Sequence, residues 1–477
     1  MDGEVTVADD DLWKPRLDRR GGPLYLAIAD AMAADIGAGR LVPGERLPTQ
    51  RALAEALGID LTTVTRAYAE ARHRGLLSGV VGRGTFISDR AAADMAPLAQ
   101  GDIDMSMNVP PQPLALLRTH LAQGLERFVR APDLGRRLGY RAAGGGATER
   151  TAGAAWLRRR YIAAGLAANT SPHADRVLVA PGAQAALHAL LSLLAQRADV
   201  VLAETLSYPG FTAVAARLGL RVLAVDCDGE GLVPDAVAAA CRSSGARLLY
   251  CTPTHHNPTT ATMSEGRRQA LAAVIQAQGL TVVEDDAYGA LAATPGTPLA
   301  ALAPAQVWHV ATLSKCLTPA LRTAYVAAPD AIQAERFEGV LRTQTQMPSP
   351  LAAGLAADWI LDGTAATLAE AIRAEAVTRQ RLAAELLPPG SYQAQPDSLH
   401  LWLNLPPDWT PHAFVQRAAR TGLTLVAGDA FLSSDTPVPA AVRLALGAAP
   451  DAASLKGALI RVAGLLAGPR GGATGVI

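Results

Sequence analysis

Cysteine is scarce. Four residues in 477, Cys227, Cys241, Cys251 and Cys316, are too few for a disulfide scaffold. None stands in a Cys-x-x-Cys pair, which removes a common structural zinc signature. Neither sign of charge is in excess: 43 Lys and Arg balance 43 Asp and Glu. The chain as a whole is therefore no polycation wrapped around nucleic acid, although a small part of it can still bind one. The start, Met1-Asp-Gly-Glu-Val-Thr-Val, lacks the basic residues and apolar run of a secretory signal. The apolar stretch Ala185 to Ala195 is broken by His188 and Ser192 and is too short for a bilayer. No repeat of about 20 to 50 residues is present. What is present is a chain 50% hydrophobic and 18% charged. That composition supports long buried cores and excludes wholesale disorder. At roughly 150 residues per domain the length suggests two or three domains. The expectation is a soluble, cytoplasmic protein.

Texture divides the chain further. Residues 22–88 read as a compact unit, 89–103 as a short linker, and 104–468 as one long Ala- and Leu-rich body. In the body, short apolar runs precede Gly- or Pro-marked turns: residues 176–180, 200–203, 221–225, 247–250, 281–284, 307–310 and 323–327. Helical segments separate most of them, and Leu187, Leu190, Leu191 and Leu194 form one helical stripe. The alternation predicts an α/β fold with a mostly parallel sheet. Ligands on such sheets lie at the carboxyl ends of the strands.

In the small unit, Leu24, Ile28, Met32 and Ile36 share a helical face. Thr49 can cap a helix with Leu53 and Leu57 inward, and Gly58 supplies a turn. The next helix opens at Leu61-Thr-Thr-Val-Thr-Arg66, with Val64 and Tyr68 inward and Thr62, Thr63, Thr65 and Arg66 outward. Two short helices around a Gly turn match helix-turn-helix spacing, in which the second helix presents side chains to base edges. Leu76 to Ile87 reads as a tight hairpin with Arg83 between two glycines. Residues 40–87 hold seven Arg and four acids, a net of +3. From Leu24 through Pro43-Gly-Glu-Arg-Leu-Pro-Thr-Gln-Arg51 to Gly82-Arg-Gly-Thr-Phe, the unit resembles the winged helix-turn-helix of GntR-type bacterial regulators. The resemblance implies binding to double-stranded operator DNA through Arg51, Thr62, Thr63, Thr65, Arg66 and Arg83. Leu61 and Thr65 stand where that family often has Arg.

In the body the sharpest motif is Thr312-Leu-Ser-Lys-Cys-Leu-Thr-Pro-Ala-Leu-Arg322, after an apolar strand. A lysine that attacks carbonyls must be partly neutral, so it needs a desolvated or electropositive pocket. Nearby hydroxyls and a guanidinium suit a phosphate dianion. Pro181-Gly-Ala-Gln follows a strand and opens a helix, whose free N–H groups bind phosphate. Glu284-Asp-Asp-Ala-Tyr288 places acids at a strand end, where an Asp can keep a pyridine nitrogen protonated. Asn257 lies in a Pro-bounded turn and can donate to a phenolic oxygen, and Tyr208 can stack on a ring. His255 and His256 lack a Glu or Cys at ligand spacing, so loop histidines and no metal are expected. Cys316 reads as a small buried residue. Asp104-Met-Ser-Met-Asn-Val-Pro-Pro either lines an entrance or packs.

These motifs, in this order over residues 104 to 465, resemble the fold type I pyridoxal-phosphate aminotransferases of class I/II. The resemblance implies pyridoxal 5'-phosphate as cofactor, with Lys315 as the aldimine lysine and Asp285 on the pyridine nitrogen. It places Asn257 and Tyr288 at the ring oxygen and Tyr208 on the ring face. Gly182, Ala183, Gln184, Thr312, Ser314 and Arg322 surround the phosphate, which Tyr140 reaches from a partner subunit. Arg443 clamps the substrate carboxylate, near the segment Gly422 to Gly428 and Phe431. Thr260, His256 and the pair Thr323-Ala324 depart from the family pattern. A GntR-type head on such a body resembles the MocR/GabR regulators. That likeness implies a homodimer, with no membrane partner, that senses an amine or amino acid through an external aldimine. All catalytic residue types are present, so the alternative is a working aminotransferase with a keto-acid acceptor. A third reading is a cofactor-free scaffold that only dimerises the heads.

Overall fold

The computed structural model describes residues 13–15, 24–37, 40–41, 45, 47–73, 76–80, 84–87, 102–434 and 436–467. The chain divides into two compact units, Met1–Gly101 and Asp102–Ile477. In the first, helices Leu24–Gly37, Gln50–Leu57 and Leu61–His73 precede the antiparallel hairpin Leu77–Val80 and Gly84–Ile87. Thr49 caps the second helix by accepting from the Ala52 N–H, and Gly58 ends it at φ +62°, the left-handed turn its sequence predicts. Ile28, Met32, Leu53, Val64 and Tyr68 are fully buried and hold the three helices on one core.

The second unit is built on a seven-stranded sheet. Its order is Val177–Ala180, Ala324–Ala327, Val307–Thr312, Thr281–Asp285, Leu248–Cys251, Val200–Glu204 and Arg221–Val225. All pairings are parallel except those of Ala324–Ala327, which runs antiparallel to both neighbours. Helices cover the sheet, and most strands are buried on every residue. That is why they read in sequence as unbroken apolar runs rather than alternating ones. Of the helical stripe, Leu187, Leu190 and Leu191 are fully buried in a core beside the sheet, and Leu194 packs against it half-buried. A smaller antiparallel sheet follows, in the order Tyr392–Gln393, His400–Asn404, Ala441–Ala445 and Val426–Ala427. Helices Thr364–Leu386, Pro411–Ala419 and Ala452–Ala467 contribute to its core through Ala383, Phe414 and Leu459. Ile103, at the end of the expected linker, pairs in parallel with Leu423 and is buried. Among the described residues, no helix is long and apolar enough to cross a membrane.

Candidate functional site

The carboxyl ends of three neighbouring strands meet beneath one cluster. Thr281–Asp285 ends in Asp285, Val307–Thr312 leads into the turn bearing Ser314 and Lys315, and Leu248–Cys251 leads to Asn257. Asp285 is buried, and its Oδ2 accepts from the Tyr250 hydroxyl at 2.8 Å. Its Oδ1 has no partner. Burial pushes its carboxyl up to about 6, against the Tyr250 hydrogen bond. A buried acceptor without a donor is costly, so the position calls for an N–H from a ligand. Asp286 differs. Burial alone would raise it, but Arg160 at 2.8 Å and His309 at 3.1 Å outweigh burial and hold it well below the usual carboxylate range. The paired acids are thus neither a helix cap nor a solvated loop. One is locked into the frame and the other faces the cluster.

Lys315 donates from Nζ to the Asn108 backbone carbonyl at 2.6 Å. Burial, then the field of Arg443 and Arg322 against that of Asp285, brings its ammonium down to about 8. This is the electropositive, desolvated lysine that carbonyl chemistry requires. The Asn108 side chain joins the cluster too: Nδ2 lies 3.0 Å from the Tyr288 hydroxyl and 2.9 Å from His400 Nδ1. Arg443 donates from Nη1 to Asn257 Oδ1 at 2.8 Å and from Nη2 to the Ser106 carbonyl. Its guanidinium lies over the Phe431 ring, and its buried Nε has no partner. An arginine edge held in this way can receive a carboxylate.

A polar cradle lies on the other side. Gly182 precedes helix Ala183–Leu194 with φ +90° and ψ 165°, a conformation essentially restricted to glycine. A Cβ there would stand 2.6 Å from Arg322 Nη2. Arg322 Nη1 lies 3.4 Å from Ser314 Oγ, and the Ser314 N–H donates to Thr312 Oγ1 at 3.2 Å. A helix N-terminus, hydroxyls and a guanidinium together make a dianion site. The Tyr208 hydroxyl lies 3.2 Å from Gln184 Oε1, and Gln184 Nε2 donates to the Gly210 carbonyl at 2.8 Å.

Most of the expected body residues therefore converge. Tyr140 does not: it is 87% exposed rather than packed into the cluster. His255 and His256 lie in a loop, and both are buried, His255 against Asp397 at 3.2 Å. Cys316 is fully buried. Within the Met-rich stretch, Met105 packs in the core while Met107 is 61% exposed. Asn108, Tyr250 and His400 belong to the cluster but were not singled out in sequence. Nothing local to them in sequence identifies them, because their partners lie far along the chain.

On the first unit, Asp60 opens helix Leu61–His73 by accepting from the Thr62 N–H at 2.7 Å. Arg51, Thr62, Thr65 and Arg66 are exposed, whereas Thr63 is half-buried rather than outward. Thr65 Oγ1 donates to Gln50 Oε1 at 2.9 Å, and the Arg66 guanidinium lies 4.4 Å from the centre of the Tyr25 ring. Arg83 lies outside the described residues.

Comparison with known proteins gives both units a kinship. Residues 24–87 match the gntR family of bacterial regulatory proteins, and residues 103–462 match aminotransferase class I and II. The HTH-type transcriptional regulator YdeF of Bacillus subtilis is 31% identical over 438 residues, 91% of this chain and 92% of its own length. The HTH-type transcriptional regulator TauR of Rhodobacter capsulatus is 31% identical over 341 residues, 65% of this chain and 68% of its own. Among solved structures, the alpha-aminoadipate aminotransferase LysN of Thermus thermophilus, complexed with N-(5'-phosphopyridoxyl)-L-leucine, superposes with a TM-score of 0.68. It is 22% identical and covers 84% of this chain and 98% of its own. At that identity the likeness shows the fold.

Proposed function

The chain belongs to the MocR/GabR-type transcription regulators, a GntR-type helix-turn-helix joined to an aminotransferase class I and II body, and we propose that its body binds pyridoxal 5'-phosphate and senses an amine or amino acid there. The residues fit that cofactor. The unpartnered Oδ1 of Asp285 suits a protonated pyridine nitrogen, and Lys315, brought partly neutral by its pocket, would supply the amine that holds the cofactor. Gly182, Ala183, Gln184, Thr312, Ser314 and Arg322 would hold the phosphate, with Tyr208 on the ring and Asn257 and Tyr288 at the ring oxygen. When bound, the cofactor supplies an aldehyde that condenses with primary amines and a ring that accepts electrons. Lys315 presents the competing amine, and Arg443 anchors an effector carboxylate. In a homodimer, Tyr140 would complete the partner's phosphate site. The head would read operator DNA through Arg51, Thr62, Thr63, Thr65, Arg66 and Arg83, in the cytoplasm.

One observation carries the sensing reading. The lysine that meets an amine and the arginine that meets a carboxylate both hydrogen-bond to one stretch of backbone, at Asn108 and Ser106. That stretch begins where the second unit begins, at Asp102. Loading the cofactor would draw Lys315 away from its 2.6 Å bond to Asn108, and an effector amine that displaces Lys315 would free it to return, so occupancy would act on the stretch that begins the second unit. For this to regulate, the effector must bind one conformation better than the other. A tenfold bias needs about 1.4 kcal/mol. The test titrates the cofactor-loaded protein with amines and amino acids and follows both its visible absorption and its retardation of operator DNA. A spectral change with altered retardation and no turnover supports the regulator. The complete set Lys315, Asp285 and Arg443 favours the second reading, a working aminotransferase. Repeated turnover with a keto acid, leaving DNA retardation unmoved, would establish that one instead.

A further inference from the structure

We propose that Asn108 is a positioning residue of the cofactor site: its side-chain amide, oriented by His400, holds Tyr288 as a hydrogen-bond donor towards the ring oxygen. The inference rests on the cofactor reading above and adds two residues to it, one of them from the smaller sheet. Asn108, Tyr288 and His400 are 4%, 3% and 0% exposed, so their hydrogen bonds are made with one another rather than with bulk water. They come from three distant places in the chain: the run after Ile103–Asp104, the turn after Thr281–Asp285, and strand His400–Asn404.

The direction of each bond follows from one carbonyl. His400 Nε2 lies 3.2 Å from the His256 backbone oxygen, which can only accept, so Nε2 carries a proton. Burial, then the field of Arg443, pushes the His400 ring well below the ordinary imidazole range, so the ring is neutral and Nδ1 is bare. A bare Nδ1 accepts, and the Asn108 atom 2.9 Å from it is therefore Nδ2 and not the amide oxygen. Asn108 Oδ1 has no partner, so the opposite side of the amide does not contest this orientation. Nδ2 also lies 3.0 Å from the Tyr288 hydroxyl and gives it the second amide hydrogen. Burial raises Tyr288 above the ordinary phenol range and keeps it protonated. Its oxygen accepts from Asn108, so its own proton remains to be donated. A phenol that accepts one hydrogen bond donates the next more strongly. With the amide turned over, Oδ1 would take the Tyr288 proton instead and leave the ring oxygen without it. His400 prevents that turn, because it would set the amide oxygen against the bare Nδ1. The Asn108 backbone carbonyl meanwhile accepts from Lys315 Nζ, so one residue meets the amine and steers the phenol.

The test follows the visible absorption of the protein loaded with pyridoxal 5'-phosphate as pH is varied. The midpoint reports the proton that the ring oxygen shares with the attached nitrogen. A donor to that oxygen favours the form without this proton, so losing the donor raises the midpoint. Tyr288→Phe should raise it by about one to two units. Asn108→Leu, close in volume, and His400→Phe, which keeps a ring without the acceptor, should each raise it by about half to one unit. Arg443, Asp285 and Tyr208 also act on Tyr288, so the shifts are read in double-mutant cycles. With Tyr288→Phe in place, Asn108→Leu and His400→Phe should add less than about 0.3 unit, whereas a general disturbance of the fold would add in full. Nitrogen-15 spectra of histidine-labelled wild-type protein give a second readout that needs neither a variant nor the cofactor. The His400 ring should keep its proton on Nε2 alone from about pH 6 to 9. Unmoved midpoints in Asn108→Leu and His400→Phe, full addition in the cycles, or a His400 proton on Nδ1 would overturn the proposal. A wild-type protein that takes up no pyridoxal 5'-phosphate would refute the cofactor reading, and the proposal falls with it. A midpoint that moves in Tyr288→Phe alone leaves that reading standing and removes only Asn108 and His400.

Discussion

The reactivity of Lys315 can be read from its surroundings. Its Nζ lies in a buried pocket under the field of Arg443 and Arg322, opposed by Asp285, and its ammonium titrates near 8 rather than at the ordinary 10.5. At pH 7 about 9% of such a lysine is neutral, against about 0.03% of an ordinary one, a ratio of about 300. The neutral amine is the nucleophile, so the rate of attachment to pyridoxal phosphate should carry that ratio. The perturbation is pH, stepped from 6 to 10 on protein stripped of any cofactor. The assay follows growth of the visible absorption after adding the aldehyde and confirms attachment by borohydride trapping. Dividing each rate by that of a blocked free lysine in the same buffer removes the cofactor's own titration. The protein-to-free ratio should be flat below about pH 7 and fall towards tenfold per unit above about 9, where the protein amine is fully neutral and the free one is not. A ratio that stays flat through pH 9 would refute the electropositive-pocket argument, because an unperturbed lysine behaves that way.

Four substitutions extend the test. Lys315→Ala should abolish borohydride-resistant attachment while operator DNA is still retained on a gel; persistent attachment would mean that another amine is used. Arg443→Ala should weaken carboxylate effectors about 10- to 100-fold, the worth of a charge-assisted pair. Equal loss for the decarboxylated amine, compared by spectral titration, would contradict its role as anchor. Gly182→Ala forces a side chain into a glycine-only conformation and 2.6 Å from Arg322 Nη2. It should cost about 1–3 kcal/mol in a denaturant melt and loosen the cofactor on dialysis; wild-type stability and retention would argue against the cradle. Arg51→Ala should lower DNA affinity and reduce the salt slope by about one, with the cofactor spectrum untouched. An undiminished slope would remove Arg51 from the interface.

The legible parts of this chain are those whose cause is local. The inner strands of the large sheet announce themselves because strands buried on both faces are unbroken apolar runs, and the half-buried edge strand Arg221–Val225 is legible from its β-branched run. Gly58, Thr49 and the Lys315 loop are equally local, each set by residues within one turn of chain. What stays hidden depends on partners far away in sequence. Asn108 meets Tyr288 across 180 residues and His400 across 292, and nothing in Met-Asn-Val-Pro predicts either. Tyr250 reads as a strand residue until its hydroxyl is found on Asp285. The two histidines at 255 and 256 sit among turn residues, and what meets them is distant in sequence: His255 lies 3.2 Å from Asp397, and His400 Nε2 lies 3.2 Å from the His256 carbonyl. Tyr140, whose expected role lies with a second copy, is exposed in the single chain.

The arrangement also bears on how sensing and chemistry share one pocket. Asp286 is tied to Arg160 and His309, so Asp285 beside it can stay unpaired on one oxygen without loosening the strand end. Arg443 shows the same division. Its Nη groups are spent on Asn257 and Ser106, which fix the guanidinium plane, and Nε is left over for a ligand. A carboxylate arriving at that edge would compete with the Ser106 carbonyl for the guanidinium, while an amine that displaces Lys315 from the cofactor would free that lysine to hydrogen-bond Asn108 again. Both events would change the bonds of the same stretch of backbone. An effector carrying both groups would therefore act on that stretch twice, and one carrying the amine alone once. An α- or ω-amino acid should shift the conformational balance by a different amount from the corresponding simple amine at equal displacement of Lys315, with DNA retardation as the readout. If the two were equally effective at saturation, Arg443 would be an anchor for affinity alone and the coupling would run through Lys315 and Asn108.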